Sequence, residues 1–203
     1  MPEPRHYFSA DPGVASDPRE VDVLLDDVTL TLTSDAGVFS HGKLDRATRI
    51  LLETAPPPPS VGTLVDLGSG YGPIALTLAA RAPQAQVVAV DVNERALSLT
   101  RANAERNGLR NVEALTPSDA AGIADIAAIY SNPPIRIGKQ ALHELLQQWL
   151  PRLAGGGAAY LVVGKHLGAD SLASWLAGEG YDVRRLASRG SYRILDVRRS
   201  ASA

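Results

Sequence analysis

Ser131-Asn-Pro-Pro-Ile135 follows directly on the apolar run Ile126–Tyr130. An amide side chain and two residues without an N–H therefore stand where a strand is expected to end. The side-chain oxygen of Asn132 and the backbone carbonyl of Pro133 are two acceptors that could hold both hydrogens of a planar amine. Such an amine, on a base or an amide, is a poor nucleophile because its lone pair is delocalised. Accepting its N–H bonds draws the nitrogen toward a tetrahedral shape and aims the lone pair at an electrophile. Positioning and electrostatics then carry the reaction, with no metal and no covalent intermediate. The prolines stiffen the turn and remove competing donors. An ordinary Asn-Pro turn is the competing reading.

A second constellation suggests what faces that loop. Val65 to Ala75, VDLGSGYGPIA, has the pattern of a buried strand running through a glycine loop into a helix. Gly68, Gly70 and Gly72 permit close backbone approach by a ligand, and the helix start offers unpaired N–H groups and a positive dipole end. The dinucleotide fingerprint G-x-G-x-x-G fits at Gly68 and Gly70, but its sixth position is Pro73. That departure counts against a nicotinamide oxidoreductase, while proline suits the first turn of a helix. Asp66 places a carboxylate at the strand end, which repels a pyrophosphate and favours a cationic or amine-bearing ligand. The next strand, VVAVDVN, closes with Asp91, one βαβ unit later, where a carboxylate can accept both hydroxyls of a ribose.

The elements that must position these groups follow from periodicity. Strands are expected over 63–67, 86–91, 111–116, 126–130 and 157–164, and helices over 73–82, 93–107, 138–152 and 168–178. Strand–helix alternation means a parallel sheet covered by helices on both faces. The chain closes with Tyr181–Leu186 and Tyr192–Val197, joined by Ala187-Ser-Arg-Gly190 and too close for a crossover helix, so this pair is expected to be antiparallel. The fold class is therefore α/β, a doubly wound, mostly parallel seven-stranded sheet with an antiparallel C-terminal hairpin. Upstream, Val21–Leu25 and Val28–Thr33 read as a small hairpin and Leu44–Thr54 as a helix ending at Pro56-Pro-Pro-Pro59. Residues 1–20, rich in Pro, Asp and Ser, are a loose lead-in. Residues 21–203 form one domain, with 21–59 as an extension and 60–199 as its core.

Composition narrows the classes. With 203 residues and 45% hydrophobic content, one sizeable core is expected. A net charge of −2 leaves no global basic footprint, so a nucleic-acid partner must be met by a local patch. Absent cysteine excludes thiol nucleophiles and zinc–thiolate sites, and His6, His41, His143 and His166 lack metal-ligand spacing, so no metal is expected. MPEPRHYFS has no apolar signal core and no run approaches the roughly 18 apolar residues of a membrane helix, which makes the cytoplasm the expected location and a membrane partner unexpected.

VDLGSGYG together with VVAVDVNERAL resembles the cofactor site of class I S-adenosylmethionine-dependent methyltransferases. The resemblance implies S-adenosylmethionine as cofactor. It places Asp66 toward the methionine amine, Gly68 and Gly70 beside the methionine moiety, and Asp91 on the ribose. Asp119, in Thr116-Pro-Ser-Asp-Ala120, would meet the adenine amine, with an exposed loop or cap aspartate as its other reading. Asn93 and Asn132 complete the implied set. Asn-Pro-Pro resembles the catalytic loop of amino-group N-methyltransferases, which makes Asn132 and Pro133 the implied catalytic residues.

GVFSHGKLDRATRILLE (Gly37–Glu53), GGGAAYLVVGKHLGADSLASWL and the ending YDVRRLASRGSYRILDVRR resemble the small-subunit ribosomal RNA guanine-N2 methyltransferases. This likeness covers about residues 20 to 199, in a single-domain form that lacks the N-terminal pseudo-domain of the family's long members. It implies ribosomal RNA, or the ribosomal subunit, as partner and guanine N2 as target. Adenine N6, a protein glutamine amide, or a non-catalytic role binding RNA or protein are the alternatives. Phe39, His41, Lys43 and Asp45 would lie near the cofactor or target entrance, although Phe39 in a core and Lys43 in solvent are equally ordinary. Ile135 stands where the family has an aromatic able to stack on a base, a contact worth about 1–3 kcal/mol. Arg136 and Lys139 are either phosphate contacts or a solvated helix start. Between Tyr181 and Arg199, Arg184, Arg185, Arg189, Arg193, Arg198 and Arg199 outnumber Asp182 and Asp196, a candidate phosphate-facing patch unless strand alternation divides it.

Overall fold

The computed structural model describes residues 13–134 and 138–200, so His6, Ile135 and Arg136 lie outside the described residues. The chain opens with an antiparallel hairpin, β1 (Arg19–Leu24) and β2 (Thr29–Ser34), followed by α1 (Arg46–Thr54). Then come β3 (Thr63–Leu67), α2 (Pro73–Arg81), β4 (Gln86–Val90), α3 (Glu94–Arg106), β5 (Val112–Leu115) and β6 (Ile126–Ser131). The chain continues through α4 (Lys139–Trp149), β7 (Leu153–Gly164), α5 (Ala169–Gly178), β8 (Tyr181–Arg189) and β9 (Tyr192–Arg199). The large sheet has the order β5-β4-β3-β6-β7-β9-β8. Its first five strands are parallel, and β9 runs antiparallel to both β7 and β8.

The strands read as near-continuous apolar runs because both faces are covered. Alternate residues part to opposite sides. Leu64, Val87 and Ala89 pack with Ile50, Leu51, Ile74 and Leu78 of α1 and α2. Val65, Val88 and Val90 pack with Leu146, Trp149, Leu172 and Leu176 of α4 and α5. The hairpin has a core of its own, where Val23, Leu30 and Leu32 meet Tyr71, Leu76 and Ala104. It is also clamped to α3 by polar contacts. The buried Asn103 accepts from Thr33 N–H at 2.7 Å and donates to the carbonyls of Thr33 and Tyr71, both at 2.9 Å. Asn107 repeats the exchange with Thr31.

Three boundaries differ from expectation by three residues or more. β7 begins at Leu153, not 157, because Leu153 pairs with Ile126 before the glycines Gly155 to Gly157 shift the register and pairing resumes at Ala158. The helix expected over 138–152 ends at Trp149 and tightens into a 3-10 turn at Leu150–Arg152, where Pro151 lacks the N–H that would continue it. Ala187, Ser188 and Arg189 belong to β8, past a register shift between Arg185 and Ala187, so only Gly190-Ser191 turns the chain, with Gly190 at φ 57°. Lengthening that hairpin distributes its arginines: Arg184 pairs with Asp182, Arg185 with Asp170, Arg189 with Glu53 and Arg198 with Asp196. Arg193 and Arg199 donate to the carbonyls of Tyr192 and Leu153. The surplus is therefore spread over local partners.

Candidate functional site

β3 lies between β4 and β6, so the sheet order reverses there and the carboxyl ends of these strands open onto a crevice. The crevice is a cavity of about 380 Å³, and Gly68, Gly70, Asp91, Asn93, Asn132 and Pro133 all line it. Phe39, Asp45, Val92 and Pro117 line it as well.

The glycine loop folds back on β4. Gly68 and Ser69 both donate N–H to the carbonyl of Val90, at 2.8 and 3.0 Å. Gly70 N–H donates to Asp91 Oδ2 at 2.8 Å, and Asn93 N–H to Asp91 Oδ1 at 2.9 Å. One carboxylate thus ties the first loop to the second. Burial pushes the Asp91 carboxyl up from its ordinary range, and these N–H groups pull against it. Gly70 has φ 55° and nothing within 4 Å of where a Cβ would stand, so its face toward the cavity is open. Gly68 needs φ 81°, and a Cβ there would meet Pro134 Cδ at 3.7 Å, which measures how near the Asn-Pro-Pro loop comes.

Asp66 sits beneath this loop and does not line the cavity. It is fully buried, and its Oδ2 accepts from Ala75 N–H at 2.9 Å at the start of α2. Its Oδ1 has no partner among the described residues. Desolvation, helped by the nearby Asp91 charge and opposed by the Ala75 bond, pushes its carboxyl up to about 8.

Asn132 is held from the opposite side. Its Nδ2 donates to Asp45 Oδ1 at 2.8 Å and lies 3.1 Å from Thr48 Oγ1. Asp45 also caps α1, accepting from Thr48 N–H at 3.0 Å. A carboxylate can only accept, so the amide nitrogen of Asn132 must face α1, which leaves its oxygen available as the acceptor. The segment carrying Asp45 is pinned from the cofactor-side loops: Tyr71 Oη donates to the carbonyl of Lys43 at 2.9 Å, and Asn93 Nδ2 to that of Gly37 at 2.9 Å. Burial, then the Asp45 charge, pushes the Tyr71 hydroxyl up, so it stays a donor.

Not every candidate converges. Asp119 is exposed, accepts from Thr116 Oγ1 at 2.7 Å and does not line the cavity; Pro117 of the same loop does. Asn93 lines it, but its side chain also caps α3 and holds Gly37. His41 bonds the carbonyl of Asp17 at 2.6 Å, and Lys43 and Lys139 are exposed. Phe39, 39% exposed, and Val92, 43% exposed, give the rim apolar surface. Sequence reasoning missed Val92, Pro117 and the Thr48 contact. Val92 was in reach, as the residue after a strand-ending acid.

This sheet order with its reversed last strand, a glycine loop after the first core strand, an acid ending the second and Asn-Pro-Pro ending the fourth together define a Rossmann-like methyltransferase fold. The chain belongs to the methyltransferase small domain family, whose pattern matches residues 29–196. It is 38% identical over 170 residues to the uncharacterized protein YbxB of Bacillus subtilis, covering 82% of this chain and 84% of that one. To ribosomal RNA small subunit methyltransferase C of Pseudomonas aeruginosa it is 33% identical over 195 residues, 94% of this chain but 58% of that protein. The T. thermophilus 16S rRNA N2 methyltransferase RsmC, solved in complex with AdoMet and guanosine, superposes with a TM-score of 0.76 at 26% identity, over 93% of this chain and 52% of that one. The chain thus spans about half the length of these ribosomal RNA methyltransferases. Among the described residues no helix is long and apolar enough to cross a membrane, and no cluster of His, Cys, Asp or Glu could hold a metal.

Proposed function

We propose that this protein is an S-adenosylmethionine-dependent N-methyltransferase whose acceptor is an exocyclic amine, guanine N2 of small-subunit ribosomal RNA. The observation that carries this reading is the orientation of Asn132, which lines one cavity with Gly68, Gly70 and Asp91 and whose nitrogen is consumed by Asp45, leaving its oxygen as the free acceptor. The residues fit the cofactor. Gly70 leaves space where a side chain would stand, Asp91 presents a carboxylate to the cavity, and Oδ1 of Asp66, buried beneath the loop, is an acceptor with no partner among the described residues. Asp119 has a place in this reading only if its loop brings it round to Pro117.

When bound, the cofactor supplies a methyl group on a positively charged sulfur, which leaves as a neutral thioether as the amine nitrogen gains the methyl and gives up a proton to solvent. Asn132 Oδ1 and the carbonyl of Pro133 accept the N–H bonds of the acceptor and orient its lone pair. Asp45 and Thr48 keep Asn132 from turning. Leu67, Val90 and Val162 line the same cavity and limit water there. The reading treats 21–203 as one catalytic domain working in the cytoplasm on ribosomal RNA or the ribosomal subunit.

Asn132→Ala tests it. Removing one oriented group of this kind costs about 10²–10³ in turnover, while labelled cofactor should still bind with nearly unchanged affinity. Equal turnover in the variant refutes the assigned role. Nucleoside mass spectrometry of RNA from cells with and without the gene should show the loss of one N2-methylguanosine.

A further inference from the structure

Asp45 does more than an N-cap requires. Ser, Thr or Asn would cap α1 equally well, yet a carboxylate stands there and lines the cavity beside Asn132. Its Oδ1 is occupied by two donors, Thr48 N–H and Asn132 Nδ2. Taking a charge partly out of water is costly unless donors meet it, and no hydrogen bond to Oδ2 is found among the described residues. The cavity is thus lined by two neighbouring side chains that each keep an acceptor free of any partner found among the described residues, Asn132 through its Oδ1 and Asp45 through its Oδ2.

We infer that Asp45 reads the ring atom next to the target amine and so selects guanine among amine-bearing acceptors, an inference that rests on the methyltransferase reading above. The 2-amine of guanine is flanked by N1–H, so two donors stand side by side on that edge. The amines of adenine and cytosine are flanked by a ring nitrogen with a bare lone pair. A glutamine amide has only a carbonyl beside its nitrogen. A carboxylate next to Asn132 accepts from N1–H and repels a lone pair in the same place. Guanine alone among these presents the donor–donor edge that this acceptor–acceptor pair matches.

The experiment compares guanosine with 2-aminopurine riboside, which keeps the 2-amine but has a bare N1. Each is offered with labelled S-adenosylmethionine, free and as the one variable nucleotide of a short RNA. Wild-type protein should prefer guanosine by about 10-fold or more in kcat/KM, within the range of one well-placed polar pair. Asp45→Asn keeps the cap and the hold on Asn132 but turns the second oxygen into a donor. Its preference for guanosine should fall by about 10-fold or more, because the amide now suits the bare N1. Asp45→Ser, which caps the helix without reaching the base, should bring the ratio near one and serves if the asparagine variant does not fold. A loss of activity on both acceptors in equal proportion, in a variant that melts and binds cofactor like wild type, overturns the inference and leaves Asp45 a structural cap. Wild-type protein that methylates neither acceptor overturns the methyltransferase reading, and the inference with it.

Discussion

Asp66→Asn exchanges a carboxyl for an amide of the same shape at a position with no solvent exposure. In the folded chain burial pushes the Asp66 carboxyl up to about 8, whereas in the unfolded chain it titrates near 4. The folded state therefore holds a proton that the unfolded state has released. A group raised in this sense contributes stability that is full below about pH 4 and is lost as pH rises toward 8. Within that window the slope is about 1.4 kcal/mol per pH unit, so roughly 3 kcal/mol should disappear between pH 5 and 7. That is a large part of the total stability of a domain this size. Asp91 is also raised, so its contribution has the same sign, while Asp27 and Asp35 are lowered and act below pH 4. The asparagine removes only the Asp66 share. Its oxygen can accept from Ala75 N–H, and whatever its unpaired NH₂ costs is independent of pH. Urea unfolding of both proteins at pH 5, 6 and 7 isolates the effect: the variant should gain on wild type by roughly 3 kcal/mol across the series. Parallel stability curves would refute the assignment of an unpaired, proton-holding carboxyl beneath the glycine loop.

The glycines of that loop should separate by function. At Gly70, which lines the cavity, an alanine meets no atom within 4 Å and strains only φ 55°, about 1–2 kcal/mol, but the added methyl should weaken cofactor binding at least 10-fold by calorimetry. At Gly72 a Cβ would meet Thr100 at 3.0 Å and Leu76 at 3.2 Å at φ 94°, and Thr100 is buried and bonded to the carbonyl of Gly70. Gly72→Ala should therefore unfold more easily by about 2–4 kcal/mol, a comparison that equal losses at the two sites would sink. Asn103→Ala strips the buried clamp on β2 and leaves the Thr33 N–H and two carbonyls unmatched, for about 2–4 kcal/mol. Hydrogen exchange in residues 29–34 should accelerate before the main sheet opens. Protection unchanged there would show that the apolar contacts alone hold the hairpin.

Much of the glycine-loop side of the cavity was legible because its signals are local. Asp66, Gly68, Gly70 and Asp91 are set by where strands stop, and a strand stop is written in a few adjacent residues. The acceptor side was less so. The bond from Asn132 to Asp45 joins residues 87 positions apart, and nothing in either neighbourhood records it. Family resemblance puts Asp45 near the entrance of the site, but neither its capping of α1 nor its hold on Asn132 is written along the chain. Ala187 to Arg189 read as a turn because Ser-Arg-Gly usually is one, yet a register shift lets β8 run on to Arg189. The tail's arginines read as either a patch or a divided edge, and partners such as Glu53, across 136 positions, are invisible along the chain.

The two sides of the site are also not independent. The segment from Gly37 to Asp45 carries both Phe39 and Asp45, and its fixed points come from the opposite loops: Tyr71, within the glycine loop, holds the Lys43 carbonyl, and Asn93, two residues after Asp91, holds that of Gly37. Arg95 adds the Ala36 carbonyl at 2.7 Å. Bonds at 2.7–2.9 Å leave little play, so the glycine loop and the Asp91 loop are tied through this segment to Asp45 and from there to the Asn132 amide. A displacement of even 1 Å at a reacting group costs heavily in rate. In the proposed reaction, the loop that turns Asn132 toward the acceptor would thus be held by the same loops that would receive the methyl donor.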